Sequence, residues 1–315
     1  MGNMRVNFAS RLIRLLWGGL YVATVSASFS STHSFEAQKS LRVAAYDDEW
    51  GLHAARNLSA WRSHLFVATE KYIVSKGNTD KPRDWDRFHL FQPFISCPPG
   101  RPLRRVGPEG DGGKWLCEPA ALKEPCIVIS MGSNMDFRFE EAILNETRCK
   151  VATLDCTVEG KKLSDRHSFH KLCVGSAAAA QRDPAFVTYS QFISVLGEHK
   201  IDVLKIDVES FEFPLFGEWR EHTRSLPDQI AVEVHWHEMY MRNFEADLQS
   251  HWGRGEFGVT DLALFFFHLA NLGYGIVSQE INVLCGMCSE FTLVRVEASV
   301  PYGGMDPVYS GWHST

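Results

Sequence analysis

Four apolar runs in this sequence stop on groups able to bind a polar ligand or move a proton. Cys126 to Ser130 runs into the turn Met131-Gly132-Ser133-Asn134, and Cys149 to Leu154 ends on Asp155 and Cys156. Ile201 to Ile206 ends on Asp207-Val208-Glu209, and Gln229 to Val234 ends on His235. A glycine lets the backbone approach a ligand closely, and the helix after it starts with free N–H groups. An acid at the end of the next strand, 23 positions beyond Gly132, is placed to accept hydrogen bonds from ribose hydroxyls. A carboxylate or imidazole beside a hydroxyl can take its proton, which makes Asp207 the leading candidate base, with Glu209 and His235 next. Blander roles compete. Asp207 would serve equally as a cap or a cofactor-positioning acid, His235 as a partly buried, hydrogen-bonded histidine, and Glu212 as the partner of a surface base such as Arg220. The histidines show no metal-ligand spacing, so no metal site is expected.

The elements that must carry these groups follow from periodicity. Strand, glycine turn, the helix-like segment Phe137 to Leu144, strand and acid make half of a nucleotide-binding α/β domain. Asn134 stands where a dinucleotide fingerprint has its second glycine, and no third follows. A pyrophosphate needs closer backbone approach than that, so the turn suits a ligand with ribose and adenine but no phosphates. S-adenosylmethionine is such a ligand. A strand–turn–helix with no ligand fits the same spacing. Further on, His170 to Gly175 reads as a third strand and Thr188 to Leu196 as a helix capped near Thr188 or Ser190. Asp261 to Leu272 reads as an apolar helix, and Ile276 to Ser278 with Phe291 to Val294 as a closing pair of strands. Strands alternating with helices predict a parallel sheet, and ligands bind at the carboxyl edge of such sheets. Gly132, Asp155, Asp207 and His235 would share that edge.

Ahead of this region, residues 28–45 are a Ser-rich linker, and Ala55, Leu58, Trp61, Leu65, Phe66, Tyr72 and Ile73 have helical spacing. Lys76 to Arg87 is a charged connection, and the Pro and Gly density from Cys97 to Gly107 predicts irregular chain. Gly110 to Cys117 reads as a hairpin turn; its flexible glycines, Asp111, Lys114 and Trp115 would also suit a lid over a ligand.

The 315 residues suffice for one large α/β domain with appendages, and the 45% hydrophobic and 12% aromatic content is that of a chain with a substantial core. A net charge of −6 argues against a broad nucleic-acid-binding surface. Arg5, Arg11 and Arg14 precede the apolar run Leu15 to Val25 and the small residues Val25-Ser26-Ala27, the pattern of a secretory signal. An uncleaved type II anchor and a mitochondrial presequence are the alternatives. Asn57-Leu58-Ser59 and Asn145-Glu146-Thr147 are N-glycosylation sequons. Of eight cysteines, Cys97 and Cys117 are expected to be bridged, while Cys126, Cys149 and Cys173 read as core thiols. Cys285-Gly286-Met287-Cys288 is a local disulfide or a tight turn.

Leu204-Lys205-Ile206-Asp207-Val208-Glu209-Ser210-Phe211-Glu212 resembles the L-K-[IV]-D-[VI]-E-G-x-E signature of FkbM-type S-adenosylmethionine-dependent methyltransferases, with Ser210 replacing the usual glycine. Asp111-Gly112-Gly113-Lys114-Trp115-Leu116-Cys117 and Ser130-Met131-Gly132-Ser133-Asn134, with Phe139-Glu140-Glu141 after it, resemble blocks of secretory methyltransferase-like proteins. The likeness runs in matching order from about Cys97 to Val296. It implies an α/β, Rossmann-like class I methyltransferase with a seven-stranded, mostly parallel sheet flanked by helices and an antiparallel last strand. On that template Gly132, Ser133 and Asn134 contact the cofactor, Asp155 its ribose, and Cys156 lies near the adenine. Asp111, Lys114 and Trp115 help to close the pocket, which favours the lid reading.

The sequence therefore reads as a signal or anchor at 1–29, a linker and helical region at 30–95, a methyltransferase domain at 96–300 and a tail at 301–315. The expected activity is S-adenosylmethionine-dependent O-methylation of a glycan, small molecule or protein in the secretory pathway. No nucleic-acid partner is expected, and membrane contact only through the N-terminal segment. One alternative is a lumenal glycosyltransferase using Asp207-Val208-Glu209 as a D-x-D-like metal motif. Another is a non-catalytic binding protein on the same fold.

Overall fold

The computed structural model describes residues 48–77, 85–110, 112–197, 200–236 and 258–296. The expected signal or anchor, the Ser-rich linker, Asp111 and the C-terminal tail lie outside the described residues. Among the described residues no helix is long and apolar enough to cross a membrane.

The helical spacing near the start forms one helix, α1 (Asp48–Lys76). Trp50, Ala54, Leu58 and Leu65 fall on one face and are buried. A 3₁₀ helix, Trp85–Phe91, follows, and then β1 (Leu103–Val106), so the Pro- and Gly-rich stretch is not wholly irregular. Leu103–Val106 pairs antiparallel with β2 (Lys114–Cys117), and the glycines between them form the hairpin turn. The Gln229 side chain bonds both the N–H and the carbonyl of Cys117, and Thr292 Oγ1 donates to the Trp115 carbonyl, so the hairpin is docked on the main sheet.

The main elements follow: β3 (Ile127–Met131), α2 (Arg138–Glu146), β4 (Lys150–Leu154), β5 (His167–His170), β6 (Cys173–Val174), α3 (Ala177–Arg182), β7 (Phe186–Val187), α4 (Tyr189–Leu196) and β8 (Val203–Ile206). The chain continues with α5 (Glu212–Gly217), β9 (Gln229–His235), α6 (Val259–Asn271), β10 (Tyr274–Ile281) and β11 (Cys288–Arg295). α4 begins where its cap predicts: Thr188 Oγ1 accepts from Gln191 N–H, while the Gln191 side chain accepts from Thr188 N–H.

Seven strands form one sheet in the order β10-β11-β9-β8-β3-β4-β5. β5, β4, β3, β8 and β9 run parallel, and β11 is antiparallel to both its neighbours. The expected third strand is displaced. β5 ends at His170, and Cys173–Val174 instead pairs with Phe186–Val187 in a separate two-stranded sheet.

Strand alternation decides which residues meet which layer. Ile127, Ile129, Met131, Leu204, Ile206, Ile230, Val232 and Val234 face a core shared with α1, α4, α5 and α6. Val128, Val151, Val203 and Ala231 face the other way, onto Val106 of β1, Leu116 of β2 and Phe139, Ile143 and Leu144 of α2. On this second face the pattern turns polar toward the carboxyl ends, with Ser130, Thr153, Lys205, Glu233 and His235 all buried. That polar end of an otherwise apolar face is where the site forms.

Disulfides account for all eight cysteines: Cys97–Cys117, Cys126–Cys149, Cys156–Cys173 and Cys285–Cys288. The first is as expected. Cys126, Cys149 and Cys173 are not core thiols. Parallel register pairs Ile127 with Lys150, so the residues just before them, Cys126 and Cys149, stand with Cα atoms 4.6 Å apart.

Candidate active site

A cavity of about 640 Å³ opens at the carboxyl edge of the sheet, within the size range of small-molecule sites. One end is walled by the Gly132–Asn134 turn, Asp155, Cys156 and Thr157, with apolar Leu172, Val174 and Phe186 beside them. The other end holds Lys114, Lys205, Asp207, Glu209, Glu233 and His235.

The turn is shaped by backbone constraints. Gly132 has φ +78, and a Cβ there would stand 1.8 Å from the Asp207 carbonyl oxygen. No other residue type fits that approach. Asp155 holds the rest of the loop: Oδ2 accepts from Ser133 N–H (2.9 Å), Asn134 N–H (2.8 Å) and Ser133 Oγ (3.3 Å). Oδ1 accepts from Thr157 N–H (2.9 Å) and Thr157 Oγ1 (2.6 Å). Burial opposes the charge, but the bonds from Thr157, Asn134 and Ser133 keep the carboxyl below its usual range. In this arrangement Asp155 fixes the turn, and a ribose hydroxyl reaches it only by displacing a side-chain hydroxyl of Ser133 or Thr157.

The strand ends bring the second cluster together. Lys114 is 2% exposed; its Nζ pairs with Glu290 and lies 3.6 Å from Asp207 Oδ2. Burial alone would lower its pKa, but Glu290, Asp207 and Glu233 raise it. Lys205 Nζ donates to the Gly132 carbonyl and lies 3.9 Å from Asp207 Oδ2, tying the turn to the acid. Against burial, Lys205, Lys114 and His235 hold Asp207 below the usual carboxylate range. His235 Nδ1 meets Glu212 Oε1 at 3.0 Å, while Nε2 lies 3.7 Å from Asp207, 3.6 Å from Glu209 and 3.9 Å from Glu233. Burial works against its charge, yet Glu212, Glu233 and Asp207 push it up to about 10. As it stands His235 is an imidazolium at neutral pH, a donor and not a base. Burial, then Asp207 and Glu290, raise Glu233 to about 8.

The turn after Asp207 is strained, with φ +52 at Glu209 and +78 at Ser210. The second value is one glycine adopts freely. Ser210 offsets part of the cost by donating from Oγ to the His235 carbonyl at 3.1 Å. Glu212 is fully buried and accepts from Val208 N–H as well as facing His235; it does not pair with Arg220, which donates to the carbonyls of Gly217 and Trp219.

Of the residues singled out in the sequence, Lys114, Gly132, Ser133, Asn134, Asp155, Cys156, Asp207, Glu209 and His235 line the cavity. Cys156 does so as half of a disulfide with Cys173. Trp115 does not: alternation along β2 sends its ring to the opposite side from Lys114, where Nε1 donates to Glu280 at 3.0 Å. Sequence reasoning missed Lys205 and Glu233. Both break apolar runs at even spacing from Asp207 and His235, which is a readable signal. Glu212 and Glu290 reach the site through tertiary packing alone.

The sheet order, with one antiparallel strand inserted between the last parallel pair, together with a glycine turn and acid at the edge, defines a Rossmann-like class I methyltransferase fold. A family described as "Methyltransferase domain" matches residues 43–295, and the chain belongs to it. Among solved structures, the fibrillarin pre-rRNA processing protein of Methanococcus jannaschii is similar at 12% identity and a TM-score of 0.30, over 56% of this chain and 68% of that one. A variant of a 16S rRNA adenine N1-methyltransferase from Catenulisporales acidiphilia is similar at 11% identity and a TM-score of 0.33, over 62% of this chain and 98% of that one. No curated protein matches the sequence.

Proposed function

We propose that this methyltransferase uses S-adenosylmethionine to methylate a hydroxyl group within the secretory pathway. The observation that carries the reading is a single cavity with a loop-and-acid wall at one end and a charged cluster at the other. The residues present fit the cofactor. Gly132 leaves no room for a side chain, Asp155 and Thr157 stand at the end of the second strand, and Leu172, Val174 and Phe186 offer an apolar flank for an adenine. When bound, the cofactor supplies an electrophilic methyl group on a sulfonium. Lys205 bridges the two ends by holding the Gly132 carbonyl beside Asp207, so cofactor position and acceptor position are coupled. Asp207, kept ionised by Lys205, Lys114 and His235, orients the acceptor hydroxyl and accepts its hydrogen bond. The charged His235 steadies Asp207 and Glu209, and Glu212 fixes the plane of its ring.

The secretory placement is supported by the pairing of every cysteine, which requires an oxidising compartment. The family match lends no support to the glycosyltransferase or the non-catalytic alternative. Transfer of labelled methyl from S-adenosylmethionine to glycoprotein or glycan fractions tests the activity. Label incorporated by the wild type and lost in Asp207→Asn, with the label on an alkali-stable ether, is the expected result. Label on an amine or carboxylate would overturn the O-methylation reading.

A further inference from the structure

The two N-glycosylation sequons take no part in the proposed chemistry, and the fold treats them differently. Asn57-Leu58-Ser59 lies in the middle of α1, where Leu58 is buried and Asn57 half-buried. The Asn57 side chain donates from Nδ2 to the Phe94 carbonyl at 3.1 Å. One turn on, Trp61 stacks on the Phe94 ring with centroids 4.7 Å apart, so Asn57 and Trp61 together dock α1 on the chain ahead of β1. That chain is itself fixed, because the N–H groups of Phe94 and Ile95 donate to the Ile276 carbonyl of β10. A sugar on Asn57 Nδ2 would stand in this contact.

Asn145-Glu146-Thr147 closes α2 instead. Phe139, Glu140, Ile143 and Leu144 take the buried face of that helix, while Asn145 and Glu141, one turn before it, take the exposed one. The Asn145 amide makes no hydrogen bond with the described residues. α2 runs from the glycine turn at the carboxyl edge of the sheet back to the start of β4, which puts Asn145 at the opposite edge from the cavity. The corner beneath it is well held: Arg166 donates to the carbonyls of Leu144, Thr147 and Cys149, and Cys149 is bridged to Cys126. A bulky, hydrated glycan there meets neither the core nor the cavity.

We propose that the folded protein carries an N-linked glycan on Asn145 and none on Asn57. The inference rests on the secretory placement put forward above. The transfer joins Asn145 Nδ2 to C1 of an oligosaccharide as the bond from C1 to a lipid pyrophosphate breaks; the pyrophosphate leaves with the lipid, and the amide gives up one proton to the transferase. Thr147 sets the timing. The sequon is read through its hydroxyl. In the fold Thr147 is 8% exposed, and its Oγ1 donates to the Ile143 carbonyl at 2.8 Å while accepting from Cys149 N–H at 3.1 Å. The glycan is therefore added before this corner closes, on the chain entering the lumen. Folding then separates the two sites: a chain modified at Asn145 closes its corner unhindered, whereas one modified at Asn57 cannot dock α1.

The test expresses the full chain in cells that N-glycosylate and compares the gel mobility of the folded product before and after peptide-N-glycosidase. Asn145→Gln and Ser59→Ala each delete one sequon without removing a side-chain hydrogen bond, whereas Asn57→Gln would also disturb the Phe94 contact. The shift of a single glycan is expected in the wild type and in Ser59→Ala, and none in Asn145→Gln, which should still melt cooperatively by circular dichroism. A shift that survives Asn145→Gln, or that shrinks in Ser59→Ala, would overturn the assignment. Maleimide labelling of the same samples separates the remaining outcomes. A folded wild type with neither glycan nor reactive thiols would overturn the Asn145 site and leave the secretory placement standing. Absence of a glycan together with reactive thiols would overturn both.

Discussion

Gly132→Ala is the substitution whose effect follows most directly from the coordinates. At φ +78 an alanine carries a backbone penalty of about 1–2 kcal/mol. Its Cβ would stand 1.8 Å from the Asp207 carbonyl oxygen where ordinary contact begins at 3.4 Å, so the turn and the end of β8 must part by about 1.6 Å (3.4 − 1.8). That movement separates the two ends of the cavity, which Lys205 otherwise holds together. A misplacement of about 1 Å costs on the order of 100-fold in turnover. The backbone term alone lowers the melting midpoint by about 2–8 °C for a domain of this size. Gly197→Ala is the control: φ is +66, but nothing lies within 4 Å of the added Cβ. By circular dichroism Gly132→Ala should lose at least as much stability as Gly197→Ala, which carries the backbone term without the clash, and Gly132→Ala alone should lose S-adenosylhomocysteine affinity by calorimetry. A folded Gly132→Ala protein with affinity within about threefold of wild type, a difference under 1 kcal/mol, would refute the assignment of this turn to the cofactor.

Asp155 has a depressed folded pKa, so its stabilising effect is present above the unfolded value near 3.9 and is lost as pH falls through the folded value. Asp155→Asn should therefore be less stable than wild type at pH 6 and approach it at strongly acid pH; a constant gap across that range would contradict the linkage. Glu212→Gln keeps the shape and one acceptor oxygen but removes the charge beside His235, and should lower turnover with cofactor affinity intact; equal loss of both would make Glu212 structural only. Cys126 and Cys149 are 23 residues apart in sequence, and replacing both by serine should cost about 3 kcal/mol in chemical denaturation. No change in midpoint would mean that the bridge does not form in the folded protein.

Much of the site was readable because it lies where periodic patterns stop. The strands ending at Met131, Leu154, Ile206 and His235 are apolar runs bounded by polar residues, and the Thr188 cap is a local signal. β5 was misplaced because His-Ser-Phe-His is a short polar edge strand, while the more apolar run after it belongs to a separate pair. The Cys126–Cys149 bridge depends on parallel register, which no single run encodes. Trp115 drew attention as an aromatic within a resembling block, but its side of the hairpin is set by alternation once the strand is known. Glu212 looked like a surface acid because its partner His235 is 23 positions away and meets it only through packing of α5 on β9.

The central claim is that the glycine turn and Asp155 form the wall of a cofactor site. Calorimetric titration of the full chain with S-adenosylhomocysteine tests it most directly. The account predicts saturable binding of one molecule per chain, weakened in Gly132→Ala and unaffected in Gly197→Ala. No binding by a chain that melts cooperatively would contradict it.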